Sequence, residues 1–227
     1  VYILPKDAER DLGMPNLGDV DAGGMPATAS TRGRGYGVVA SNLLGMSIDG
    51  RPLSLVQVAA PSDADHKEDV ARALGTEFAR EFAMRTLILD LRDQPAGAAP
   101  AGASADPAST IPVEKTDVED LWVSVDARRS LFGDRGRSLS RAWHNVAALR
   151  QRFDMILVVA PSDLSQPLAH RLASNVDASF LVLHAERTRG AAAARFREML
   201  LDAGGNLAGF VFVGRKYYVP RWLYWRI

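Results

Sequence analysis

The chain has 227 residues, 47% of them hydrophobic and 24% charged, enough to bury one substantial core with short appendages. Lysine plus arginine and aspartate plus glutamate balance at 27 each, so the whole molecule has no bias toward nucleic acid or any other polyanion. The absence of cysteine excludes disulfides, thiolate metal sites and cysteine nucleophiles.

Taken in chain order, residues 1–35 are rich in glycine and proline and end in "STRGRG". Such a stretch offers little apolar surface to offset its ordering entropy, and it reads as a flexible N-terminal linker or arm. A short helical segment runs from Tyr36 to about Met46, and "LSLVQVAA" over 53–60 is the first core strand. In "KEDVARALGTEFAREF", Val70, Ala73, Leu74, Phe78 and Phe82 recur at near-helical spacing behind an acidic first turn, Glu68 and Asp69, which suits the positive end of a helix dipole. "RTLILDL" is a second apolar strand ending in Asp90. The Ala/Gly/Pro/Ser stretch within 93–117 has no periodicity and reads as a mobile loop. "DLWVSV" is a third strand, and Leu139, Ala142, Trp143, Val146, Leu149 and Phe153 form one helical face. "DMILVVAPSD", "SFLVLH", a helix around "GAAAARFREMLLDAG" and "LAGFVFVG" complete the alternation. Strands without polar alternation, separated by amphipathic helices, predict a three-layer α/β/α sandwich with a mostly parallel sheet and a functional edge at the strands' C-terminal ends.

The order of strand, loop with Lys67, helix, "RTLILDLR", "RFDMILVVAPSD" and "SFLVLHAERTRG" resembles the cytoplasmic P-loop domain of bacterial tyrosine kinases over residues 36–214. The resemblance implies a P-loop NTPase-like fold and work beside the membrane co-polymerases of capsule and exopolysaccharide export. That family's phosphate loop runs Gly or Ala, two residues, Pro, two residues, Gly, Lys, Ser or Thr, because small residues let backbone N–H groups reach phosphate and the hydroxyl ligates Mg²⁺. The matching stretch runs from Ala60 through Asp63, Asp65 and His66 to Lys67 and Glu68. His66 replaces the glycine, Glu68 replaces the hydroxyl, and Asp63 and Asp65 add negative charge beside the place of a polyanion. In the family's second motif an apolar strand ends Asp, any residue, Asp; here "LILDLRD" keeps Asp90 and puts a leucine or Arg92 at the other aspartate. In the third, a metal-organising aspartate aligns with Val159, which offers no oxygen ligand. The three charged positions of the family's ring-forming helix align with Arg34, Gly37 and Ala40.

These losses come from separate segments and together predict a degenerate nucleotide site with no catalytic residue, no bound metal and no cofactor. The expected function is that of an inactive kinase-like domain, a regulator or scaffold of polysaccharide polymerisation and export with a membrane co-polymerase. Two rivals stand beside it. One is an active autokinase using Lys67, Asp90 and Asp163; the other is a membrane-positioning adaptor related to partitioning ATPases. The tail over 215–227 holds five aromatics, four positive charges and no acid. Arg215, Lys216, Tyr217, Tyr218, Arg221, Trp222, Tyr224 and Trp225 there combine apolar bodies with polar tips, the chemistry of docking to a partner or to a membrane surface. The four histidines, His66, His144, His170 and His184, lack metal-ligand spacing. No apolar run approaches the roughly 20 residues that cross a bilayer, so the expected location is the cytoplasm, at the inner membrane. A homo-oligomer is a further expectation and nucleic acid is not.

Overall fold

The structure is a computed structural model that describes residues 1–20, 29–62, 65–92, 111–124, 127–132, 139–162 and 168–214. Its elements are α1 (Pro5–Leu12), β1 (Asn16–Val20), α2 (Ala29–Leu44), the short hairpin β2 (Ser47–Ile48) and β3 (Arg51–Pro52), β4 (Leu55–Ala59), α3 (Lys67–Glu81) and β5 (Thr86–Asp90). They continue with β6 (Val113–Lys115), β7 (Leu121–Ser124), α4 (Ala127–Phe132), α5 (Leu139–Leu149), β8 (Met155–Val159), α6 (Leu168–Ala173), β9 (Ala178–His184), α7 (Gly190–Asp202) and β10 (Leu207–Val213). Eight strands form one sheet in the order β1-β10-β9-β4-β8-β5-β7-β6, parallel throughout except for the antiparallel pair of β6 with β7.

Successive strand residues face opposite layers, which explains why these strands are apolar without a break. Leu55, Leu87, Leu89, Ile156 and Val158 enter a core with α5, α6 and α7. Val56, Val58, Ile88, Leu157 and Val159 enter the other core, with α2 and α3. Val70, Leu74 and Phe78, one face of α3, are almost wholly buried there, each stabilising by about 1.5–3 kcal/mol. Ala73 is only half-buried, and Phe82, just beyond the helix end, is exposed, so the apolar stripe read from the sequence is one turn too long.

Three expectations change. Residues 5–20, read as part of a linker, form α1 and an edge strand that pairs with β10. The glycine-rich "TRGRGYG" lies within α2, where composition suggested a flexible run. Gly35 shows why: a Cβ there would stand 2.6 Å from the Asp19 carbonyl oxygen, so the missing side chain lets α2 lie directly on β1. Glycine here serves close packing, which composition cannot distinguish from freedom. Third, Val113–Lys115, inside the stretch read as a loop, forms the β6 edge strand, and 93–110 lies outside the described residues.

One carboxylate pins the base of the central strands. Asp177 Oδ2 accepts from the Ser54 and Leu55 amides, both at 2.8 Å, and Oδ1 pairs with Arg150. Burial alone would raise its pKa, but the Ser54 amide, Arg150 and the Leu55 amide outweigh burial and hold it below the usual carboxylate range. The charged form is therefore favoured by folding. Its stabilisation is complete above the unfolded value of about 3.9 and is lost as pH falls through the lower folded value. Asp177→Asn is expected to destabilise the fold at pH 7 by about 1–3 kcal/mol, with a deficit that shrinks below pH 4 in urea titrations across pH.

Candidate functional site

The C-terminal ends of β4, β8, β5 and β9 meet at one rim of the sheet. β4 lies between β8 and β9, and the chain leaves it toward β5 on one side and leaves β8 toward β9 on the other, so the strand order reverses here. In open parallel sheets ligand crevices form at such a reversal. The structure brings Ala60, Asp65, His66, Lys67, Glu68, Asp90 and Val159 to this rim; Asp63, Asp163 and the residues of the 215–227 tail lie outside the described residues.

Lys67 opens α3 at the lysine position of the phosphate-loop pattern. It is fully buried, and its Nζ donates to Ser162 Oγ, itself almost buried beyond the end of β8. The Ser162 hydroxyl acts here as an acceptor for the lysine. His66 takes the left-handed conformation, φ 52° and ψ 42°, which an L residue adopts at a cost and a glycine does not. The loop thus keeps the backbone bend of a glycine position while carrying an imidazole. That ring is exposed and turns toward Asp69, with Nδ1 and Oδ2 3.7 Å apart.

Asp65 does not face outward as a repelling charge. It is 1% exposed, and its Oδ1 accepts from Thr188 Oγ1 at 2.8 Å, tying the loop after β4 to the loop after β9. Thr188 in turn accepts from the His184 amide at 2.7 Å. Asp65 Oδ2 is buried without a hydrogen-bond partner. Burial raises the pKa, and the Thr188 hydroxyl, His184, the Ser62 amide and Lys67 only partly offset this. A carboxyl raised on folding costs stability once pH exceeds its folded value and costs nothing below the unfolded value near about 3.9. Asp65→Asn is accordingly expected to raise the melting temperature at pH 7–8 by about 2–4 °C, with the gain vanishing as pH falls toward 4 in a thermal-melt series.

On the other side of Lys67, Arg92 reaches back over the end of β5. Its Nε and Nη2 donate to Asp90 Oδ1 at 3.0 Å and Oδ2 at 2.7 Å, and its Nη1 stands 3.1 Å from Glu68 Oε2. The Asp90 side chain is 11% exposed and the other two about a third, so this network is only partly screened. The hydrogen bond to Asp90 outweighs burial and, with both carboxylates nearby, holds the guanidinium still further on its charged side. Val159 ends β8 in register with both Asp90 and Val58, and it is fully buried. The residue beside Asp90 is therefore a hydrocarbon.

Sequence reasoning named Arg92 only as an alignment alternative and missed Thr188. An acid at a strand end followed two positions later by an arginine is a readable signal, since the chain turns there and the fork can fold back. Nothing local marked Thr188, which is 123 positions from Asp65.

No family model matches the chain, and no curated protein matches it. Solved structures do. The BceF tyrosine kinase domain superposes with a TM-score of 0.73 at 16% identity, over 95% of this chain and 99% of that one. The chain has the bacterial tyrosine kinase fold. The kinase domain of the Escherichia coli tyrosine kinase ETK gives 0.72 at 12% identity over 96% and 98% of the two chains. The chimerical protein CapA2B2 gives 0.71 at 16% over 93% and 99%. The match spans the kinase fold from end to end, including the N-terminal residues that composition assigned to a linker.

The kinase fold implies Mg²⁺ and a nucleoside triphosphate, and the residues at this rim do not fit them. The P-loop lysine's ammonium is spent on Ser162, the residue after it is an acid already paired, and Asp65 presents a buried carboxyl in the loop. Among the described residues no group of three histidine, aspartate or glutamate side chains could hold a metal ion.

Proposed function

We propose that this chain is a kinase-fold domain that transfers no phosphate and acts by binding partners in exopolysaccharide or capsule assembly, beside a membrane co-polymerase. The observation that carries the reading is the burial of Lys67 on Ser162 together with the closure of Asp90 and Glu68 around Arg92. With Asp90 as the last residue of β5, Arg92 stands at the second position of the Asp, any residue, Asp pattern. Phosphoryl transfer relies on cations gathered around a polyanion and on a metal held by acids. Here each cation and acid of that set has an intramolecular partner instead. The kinase fold of BceF and ETK supports a role in the same kind of assembly, and the 215–227 tail supplies its docking chemistry. Among the described residues no helix is long and apolar enough to cross a membrane.

The test is incubation of the intact chain with Mg²⁺ and ATP, followed by phosphotyrosine detection. Tyr217, Tyr218 and Tyr224 are expected to stay unmodified. Incorporation that Lys67→Met abolishes would establish the autokinase instead. In cells, deletion of the chain is expected to change polysaccharide length, and unchanged polysaccharide would remove the assembly role.

A further inference from the structure

The Arg92 network lies where two general features of P-loop folds converge. One is the residue after the P-loop lysine, normally a hydroxyl on Mg²⁺; the other is an acid at the end of a neighbouring strand. Here those positions hold Glu68 and Asp90, two carboxylates with a single guanidinium between them. Without a cation at that corner, the first turn of α3 and the end of β5 would place two like charges together, which is repulsive. Arg92 is fixed in place by its own chain as well: its amide donates to Asp90 Oδ1 at 3.1 Å, so the turn that aims the side chain is held by the acid that the side chain neutralises. The Asp90 amide donates to Ser124 Oγ at 3.1 Å, which fixes the strand end from the other side.

We infer that Arg92 is a built-in counter-cation standing in for a divalent metal, so that the corner between α3 and β5 stays closed whether or not Mg²⁺ is present. A bound metal makes a P-loop corner responsive to its ligand; a covalently attached guanidinium makes the same corner permanent, with a planar fork that grips Asp90 bidentately and leaves one arm for Glu68. The domain then presents one surface to its partners at every cation concentration. This rests on the reading that the site no longer takes Mg²⁺ and ATP, but its test uses Mg²⁺ alone. Nucleotide binding by the unaltered chain would overturn that reading and leave this inference standing, provided the melts below behave as stated.

Thermal melting of the full chain is compared in EDTA and in millimolar MgCl₂. The unaltered chain is expected to melt at the same temperature in both. Arg92→Ala is expected to melt about 2–6 °C lower in EDTA and to recover most of that loss in MgCl₂, because Glu68 and Asp90 are then left facing each other without a cation. Arg92→Ala combined with Glu68→Gln removes the repulsion. It is expected to melt near the unaltered chain in EDTA and to ignore MgCl₂, and this keeps the test decisive if Arg92→Ala alone does not fold. A Mg²⁺-dependent shift in the unaltered chain would overturn the inference. So would an Arg92→Ala variant indifferent to Mg²⁺, or a double variant no more stable than the single one.

Discussion

Gly209→Ala is expected to cost about 2–4 kcal/mol of stability in urea unfolding, more than a typical surface substitution by several-fold. Gly209 sits at φ +148° where β10 shifts register, and a Cβ there would lie 2.4 Å from the Pro15 carbonyl oxygen and 3.0 Å from the Leu17 side chain. The atom it would strike is backbone, so no rotamer change relieves the contact. The same carbonyl accepts from the Phe210 amide at 3.0 Å, and the clash would therefore push β1 off the sheet at its point of entry. Gly204→Ala provides the comparison. It too has positive φ, +77°, but open space around its Cβ. Only backbone strain of about 1 kcal/mol applies there.

Lys67→Ala is the second large effect, expected at about 2–4 kcal/mol by the same measurement. The side chain is fully buried, and truncation removes both its packed methylenes and the ammonium facing Ser162 and Asp65, two polar groups that stay buried. Lys67→Met keeps the methylene volume and loses the charge, so it should fall between the alanine variant and the unaltered chain. A lysine that waits for phosphate in an open loop would show little loss of stability on truncation, since its partner is the ligand. The size of the alanine effect thus separates a structural lysine from a ligand-binding one without any nucleotide present.

The parallel sandwich was legible because its signals are local and periodic. Val70, Leu74 and Phe78 mark a helix face, and unbroken runs such as "MILVV" mark strands covered on both sides. The N-terminal strand was not legible, since "NLGDV" is short and the glycines that let it pack, Gly18 against α2 and Gly209 of β10 against residues 15–17, serve contacts that only tertiary structure reveals. At the rim, the sequence showed which residue types were wrong for phosphate and metal, at His66, Glu68 and Val159. It could not show where the displaced charges went. Lys67 finds Ser162 across 95 positions and Asp65 finds Thr188 across 123, and neither pairing leaves a trace in spacing. The sequence reading therefore treated Lys67 as a leftover and the loop's acidity as repulsion. The structure buries Lys67 on Ser162 and ties Asp65 Oδ1 to Thr188.

The account turns on whether these pairs exclude nucleotide, and calorimetric titration of ATP with Mg²⁺ into the intact chain measures that directly. Self-sufficient pairing at Lys67 and Arg92 predicts no saturable heat up to millimolar ATP. A saturable, Mg²⁺-dependent isotherm in the micromolar range, lost in Lys67→Met, would contradict it.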